Sequence, residues 1–327
     1  MRALTRPRPE HHYDADAEIA SLIGHRDAIP DDPADSRNIP DKGQQGSALI
    51  ASWNVANLGV HKRRPSDFRV IAEILSWFEI VALQEIADNL DDFLAITREL
   101  PAHFAWIFND RAGNDERSAY LYDTRRISLS PKIGEVVIVD SDRRYITLPG
   151  IAQPFNGFNR NPYLAGFEIE GEALLLANCH LLYGPTRTAA DRRASIERRQ
   201  LEAYAIARWC DLRRNDKHRW TRNILALGDF NLPVAQAGDP VYDALTRRGL
   251  SLPPHETRIP TNVSASADYD QIAVTPGLKS RVLDMGVFDF DAALFADIYD
   301  PDTPGYWRRC AKYYVSDHRP LWMQLEL

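Results

Sequence analysis

Short apolar runs in this chain are repeatedly punctuated by polar side chains at or near their ends, and that punctuation restricts the folds open to it. Leu49–Trp53 runs into Asn54, and Ile80–Leu83 into Gln84-Glu85. Leu174–Ala177 runs into Asn178-Cys179-His180, and Ile224–Leu227 into Gly228-Asp229-Phe230-Asn231. Ala267–Val274 carries Asp268, Asp270 and Gln271, and Ser316-Asp317-His318 precedes the strand-like run Arg319–Glu326. Apolar runs this short read as buried strands. Strands pack side by side, so residues at their ends can converge on one rim of a sheet.

Helical patterns alternate with these runs. Phe68–Phe78 places Val70, Ile71, Ile74, Leu75 and Phe78 at helical spacing, and Leu90–Leu100 forms a second helix stopped by Pro101. Further strands are expected at Ala105–Phe108, Ala119–Tyr122, Glu135–Val139, Tyr163–Ile169 and Ala173–His180. A long helix is expected over Ala189–Arg213, a shorter one near Val241–Arg247, and a strand at Tyr269–Val274. With 44% hydrophobic residues, no internal repeat and no break in composition, residues 47–327 read as one α/β (α+β) domain. Residues 1–46 read as an extension: a short helix over Asp14–Gly24, striped by Ile19, Leu22 and Ile23, then a Pro/Asp/Gly-rich linker over Pro30–Gly46.

The composition excludes several classes. No 18-residue uncharged apolar run is present, which argues against a membrane span, and the Arg/Pro-rich start lacks the apolar core of a secretory signal. Cys179, Cys210 and Cys310 are too few and scattered for a disulfide framework or thiolate metal site, so a cytoplasmic location is expected. A net charge of -7 argues against adhesion to nucleic acid through overall charge, but a local basic patch can supply phosphate contacts. Within Arg187–Arg222, Arg192, Arg199 and Arg213 could line such a face; the alternative is a solvated helix with ion pairs from Asp191 and Glu202.

Convergent carboxylates, carboxamides and imidazoles suit phosphoester hydrolysis. Magnesium prefers hard oxygen ligands, one or two of them carboxylates, and polarises a phosphoryl oxygen. A general base must take a proton from water. Each dipeptide alone is more often a turn or a solvated edge; their order along the chain changes the reading.

That order resembles the endonuclease/exonuclease/phosphatase superfamily, which includes DNase I-like nucleases. The matching segments are Ser52-Trp53-Asn54-Val55, Leu83-Gln84-Glu85, Asn178-Cys179-His180, Gly228-Asp229-Phe230-Asn231, Tyr269-Asp270-Gln271-Ile272 and Ser316-Asp317-His318-Arg319-Pro320. The resemblance implies a four-layer αββα sandwich, two packed β-sheets flanked by helices, with the active site at one end. It implies metal ligation by Glu85, Asn54 and Asp317, with Mg²⁺ the expected cofactor and Mn²⁺ or Ca²⁺ as alternatives. It assigns Asp229 and Asn231 to the nucleophilic water and the scissile phosphate, and His318 to acid–base work, oriented by Asp270. His180 resembles a second histidine, paired with Glu116, and Arg160 matches a phosphate-contacting arginine. Thr261-Asn262 reads as a turn, Trp53 and Phe230 as core, and Cys179 as a small buried neighbour of His180.

The resemblance implies a phosphodiesterase, a nuclease acting on DNA or RNA, with no membrane and no stable protein partner. Two departures bear on the substrate. The positions that contact the DNA minor groove in DNase I-like enzymes hold Ala87 and Asn114 here, which puts duplex reading in doubt. A phosphatase or phospholipase-C-type enzyme acting on a small molecule or lipid is the alternative, and a non-catalytic nucleic-acid-binding scaffold is the second.

Overall fold

Near-continuous apolar runs give this chain strands with two apolar faces, and such strands need cover on both sides. The computed structural model describes residues 4–28, 39–255, 257 and 259–327; residues 30–38 of the expected linker lie outside them. In chain order the elements begin with α1 (Ala15–Asp27), β1 (Ser47–Leu58), α2 (Pro65–Ser76), β2 (Ile80–Ala87), α3 (Asp91–Glu99), β3 (Phe104–Phe108) and β4 (Glu116–Asp123). There follow β5 (Ile127–Glu135), α4 (Asp140–Arg143), β6 (Tyr163–Ile169), β7 (Glu172–His180), α5 (Ala189–Asn215), β8 (Ile224–Asp229) and α6 (Pro240–Thr246). The chain continues through β9 (Asp270–Val274), β10 (Val282–Val287), α7 (Phe290–Ala293), α8 (Gly305–Tyr314) and β11 (Leu321–Glu326).

The strands form two sheets, one of six in the order β10-β11-β1-β2-β4-β3 and one of five in the order β5-β6-β7-β8-β9. Ile50, Ile80, Phe167, Leu176, Leu227 and Met323 belong to the apolar layer between the sheets. On the outer face of the first sheet, Trp53, Leu83 and Trp322 pack with Leu22 of α1, Ile74 of α2, Phe93 of α3 and Tyr314 of α8. On the outer face of the second, Leu175, Cys179 and Ala226 pack with Ile206 of α5 and Leu245 of α6. This is the expected four-layer αββα sandwich. Among the described residues, no helix is long and apolar enough to cross a membrane.

Three local differences from expectation have physical causes. The first helix does not stop at Gly24: Asp14 caps its start by accepting from Asp16 N at 2.9 Å, and buried Leu22 draws the helix on to Asp27. The strand expected at Glu135–Val139 ends at Glu135, because β5 pairs with β6 over Ile127–Glu135. Beyond it Val136 and Ile138 turn inward while Val137 and Val139 are exposed, an alternation that imitates a strand without a ladder. Finally, β10 and the aromatic helix α8 lie where the sequence reading placed no elements.

The N-terminal segment is tied down by a histidine. Leu4 N donates to His61 Nε2 at 2.9 Å, and the buried His61 ring stacks on Tyr313 at 4.9 Å. Burial, helped by the Arg63 charge, pushes the His61 pKa down to about 3. A histidine depressed on folding supplies stability above its free value of about 6.5, and that stability is lost as pH falls from there toward 3. Urea midpoints at pH 7 and pH 5 should therefore drop further in the wild type than in His61→Gln. Equal drops would exclude His61 as a source of the acid sensitivity.

Candidate active site

The inner face of each sheet changes character as its strands reach one end of the sandwich. On β1, Ala48 and Ile50 face the inter-sheet core and Ser52 and Asn54 continue the same face. On β7, Leu174 and Leu176 lead to Asn178 and His180; on β8, Leu225 and Leu227 lead to Asp229. On β9, Asp270 begins the face that Ile272 and Val274 continue. Register then brings the polar ends together. His180 lies beside Asp229 in the parallel β7–β8 pair, and Asp229 opposite Asp270 in the antiparallel β8–β9 pair. Bonds between the sheets close the gap: Asn54 Nδ2 donates to Asp229 Oδ2 at 3.1 Å, Gln84 Nε2 to Asn178 Oδ1 at 2.8 Å, and Asn178 Nδ2 to the carbonyls of Leu83 and Ala119 at 2.9 and 3.1 Å.

Glu85 breaks the alternation. The β1–β2 register shifts between Asn54 and Leu58, and the β2–β4 register between Leu83 and Ile86. Glu85 sits in this bulge with a φ of 63°, a left-handed conformation that costs a non-glycine residue about 1–2 kcal/mol. Its side chain, 20% exposed, reaches the rim, where Oε2 accepts from Asn57 N at 3.0 Å and Oε1 lies 3.9 Å from His180 Nε2. The second contribution from the six-stranded sheet is the turn before β11. Ser316 Oγ donates to Asn54 O at 2.6 Å and accepts from His318 N at 3.0 Å, fixing His318 against β1. Asp317 is half-buried beside it, and its carboxylate has no hydrogen-bond or ion-pair partner among the described residues.

Asp229 is the centre of this rim. Its Oδ1 accepts from Asn231 N at 2.8 Å, while Oδ2 stands 3.5 Å from His180 Nε2 and 3.9 Å from His318 Nε2. The two imidazoles are pushed in opposite directions. Burial would lower His318, but Asp270, bonded to Nδ1 at 2.8 Å, outweighs it together with Asp229 and Asp317, and the pKa lies well above the ordinary value. Burial and the Arg160 charge push His180 down to about 4, against the pull of Asp229 and Glu85. At neutral pH the rim thus pairs an imidazolium with a neutral imidazole.

The structure brings together all the residues expected at the site, though some are engaged differently. Glu116, buried on β4, lies with Oε1 at 3.1 Å from His180 Nδ1, an ion-pair distance without an aligned hydrogen bond. Arg160 is buried against Glu116 and points Nη1 at the His180 carbonyl at 3.3 Å, so its guanidinium braces the Glu116–His180 pair. Arg199 corrects the idea of a phosphate-tracking helix face. It is buried and donates to the carbonyls of Leu182, Asn231 and Tyr183 at 2.8, 2.8 and 2.6 Å. Glu202, one turn on, accepts from Asn159 N at 2.8 Å and Leu182 N at 2.9 Å. Helix α5 therefore anchors the backbone around Arg160, His180 and Asn231. Its long stretch without a clear apolar stripe concealed this, although a glutamate three residues after an arginine was visible.

Thr261 and Asn262 form the expected turn, with a further duty: Thr261 Oγ1 accepts from Asp270 N at 3.0 Å, and Asn262 Oδ1 accepts from Ser266 N at 2.8 Å. Trp53, Phe230 and Cys179 are fully buried, and Trp53 Nε1 donates to His318 O at 2.8 Å. Asp268 precedes β9 and is half-buried, outside the rim's bonds.

The donor set suits a hard cation. Ligand atoms of Glu85, Glu116 and His180 all lie within 4.8 Å of one another. Glu116 is already engaged by the Arg160 cation, which opposes a second cation there. Glu85 and the unpartnered Asp317 are the carboxylates left open.

No protein-family model matches the chain, and no curated protein is similar to it in sequence. Its fold, however, is that of the endonuclease/exonuclease/phosphatase proteins. Among solved structures, such a protein from Bacteroides thetaiotaomicron is similar over 85% of this chain and 94% of its own, at 21% identity and a TM-score of 0.52. A mannosyl-6-phosphatase from the same species is similar over 84% and 98%, at 20% identity and a TM-score of 0.52. An AP endonuclease from Archaeoglobus fulgidus is similar over 86% and 100%, at 14% identity and a TM-score of 0.52.

Proposed function

We propose that this protein is a divalent-cation-dependent phosphodiesterase that hydrolyses nucleic acid. The observation that carries the reading is the placement of Asp229 Oδ2 between the Nε2 atoms of His180 and His318, at 3.5 and 3.9 Å. A carboxylate between a neutral imidazole and an imidazolium can take a proton from water on one side of a phosphate while a cation holds the other.

In this reading Glu85, with Asn54 and Asp317, holds Mg²⁺, and Mn²⁺ or Ca²⁺ suit the same oxygen donors. When bound, the ion would neutralise charge developing on the phosphoryl oxygens. Asp229 orients the water and accepts its proton, kept in place by Asn231 N on Oδ1 and Asn54 Nδ2 on Oδ2. His318 has Nδ1–H committed to Asp270 Oδ2, which leaves Nε2–H to donate to phosphate oxygen. His180 supplies the second ring, braced from behind by Glu116 and Arg160.

The paired histidines favour a nucleic acid; the likeness in fold is shared equally by an AP endonuclease and a mannosyl-6-phosphatase. Ala87 is short and buried, and Asn114 occupies a tight turn with a φ of 65°, so neither extends a long arm into a duplex groove.

The test is a panel of plasmid, linear duplex, single strands, RNA, inositol phosphates, sphingomyelin and sugar phosphates, with Mg²⁺ or Mn²⁺ and with EDTA. Cleavage of nucleic acid that EDTA abolishes is expected. Phosphate release from a monoester with no nucleic acid cut would overturn the substrate assignment in favour of a phosphatase.

A further inference from the structure

A cavity of about 390 Å³ has as one wall a loop bonded to the Asp317–His318 turn. That wall is the loop carrying Val263 and Ala265. Val263 N donates to Asp317 O at 3.0 Å, Asn262 bridges to His318, and Lys312 Nζ on α8 donates to Ser264 Oγ at 2.6 Å. Arg319, the residue after His318, forms part of the lining. His318 and Arg319 point to different layers, the imidazole to Asp270 and the guanidinium to Asp291, so the cavity lies on the helical side of the turn that carries His318; its size falls in the range of about 300–1,000 Å³ usual for small-molecule sites.

Its chemistry is specific. Leu294 and Val263 give apolar cover, and Tyr299, 52% exposed, meets Trp307 edge-on with ring centroids 5.0 Å apart. Arg308 lines the same space, and its guanidinium has no hydrogen-bond or ion-pair partner among the described residues; its Nε is buried and unbonded. The nearest acid in the lining, Asp291, is taken by Arg319 through two bonds of 2.7 Å. Asp297, on the neighbouring turn, faces His11 at 3.5 Å. An uncommitted arginine beside an accessible aromatic ring, with the local carboxylate neutralised, selects an anion attached to a flat ring.

We infer that this cavity is a nucleotide subsite: Arg308 binds a phosphate and Tyr299 stacks on the base of a nucleotide bound outside the rim. The inference rests on the nuclease reading for its place in the reaction, but the occupancy of the cavity does not depend on turnover. Lys312, within the electrostatic reach of Asp317, Arg308 and Asp291, is held by Ser264 on the same loop.

Binding of adenosine 5′-monophosphate, adenosine and inorganic phosphate to the full chain in EDTA, followed by calorimetry and by Trp307 fluorescence, tests this. The monophosphate should bind saturably. Arg308→Gln should weaken it at least about tenfold, the scale of a charge-assisted hydrogen bond. Tyr299→Ala should weaken it at least about fivefold, the scale of one base–aromatic stack. Arg193→Gln, at an exposed arginine of α5 paired with Glu197, should leave this affinity unchanged. No binding of the monophosphate, equal affinity in Arg308→Gln, or inorganic phosphate binding as tightly as the nucleotide would each overturn the subsite. Failure of the nuclease reading would appear separately, as intact nucleotide binding in a protein that cuts no nucleic acid.

Discussion

His318→Asn is expected to lower kcat at least about a hundredfold, the scale of a lost acid–base group, while leaving cooperative unfolding close to wild type. Asparagine is the informative substitution because its amide nitrogen can stand where Nδ1 does and still donate to Asp270. Alanine would strand a fully buried carboxylate whose Oδ1 already lacks a partner, and the stability loss of about 1–3 kcal/mol or more would cloud the kinetics. The backbone bonds of residue 318, to Ser316 Oγ and from Trp53 Nε1, survive either change. Glu85→Gln should reach a similar loss of rate, with an added rise in the metal concentration needed for half-maximal activity. Near-normal turnover in both variants would remove these side chains from the chemistry.

Gly228→Ala should have the largest effect on folding, at about 4 kcal/mol or more in urea denaturation. Gly228 adopts a φ of +138°, which L side chains rarely occupy, and an added Cβ would run into the carbonyl oxygen of Cys179 on β7. The Cys179 backbone carbon and nitrogen lie only 2.8 and 2.9 Å from the same point, so no side-chain movement relieves the clash. Parting β7 from β8 there would separate His180 from Asp229, and activity should vanish with stability. Gly277→Ala, which meets nothing within 4 Å, is the control and should stay within about 0.5 kcal/mol of wild type. A Gly228→Ala protein as stable as that control would refute the close-approach argument.

The legible part of the site is the part that obeys strand periodicity. Asn54, His180 and Asp229 continue an apolar inner face by steps of two, and so they announce themselves as polar groups at the ends of buried strands. Glu85 does not follow the step; only the bulge turns it toward the rim, and motif order rather than periodicity pointed to it. Arg160 and Arg199 have the composition of phosphate-binding residues, yet both are spent on internal acceptors, and a sequence does not distinguish a guanidinium facing solvent from one facing carbonyls. In the fold, β10 and α8 were hidden because Asp284 and Gly286 interrupt the apolar run of the strand, and arginines and a lysine are interleaved with the aromatics of the helix. The cavity that α8 helps to line was hidden with it.

The placement of β11 has a consequence for biosynthesis. This strand lies between β10 and β1, and the turn leading into it delivers Asp317 and His318. A ribosome must therefore release residues 317–326 before the earlier polypeptide can complete its central layer. Until then a growing chain holds Asn54 and Glu85 without His318 beside them, so the rim closes only after the strands on either side of β11 have been made.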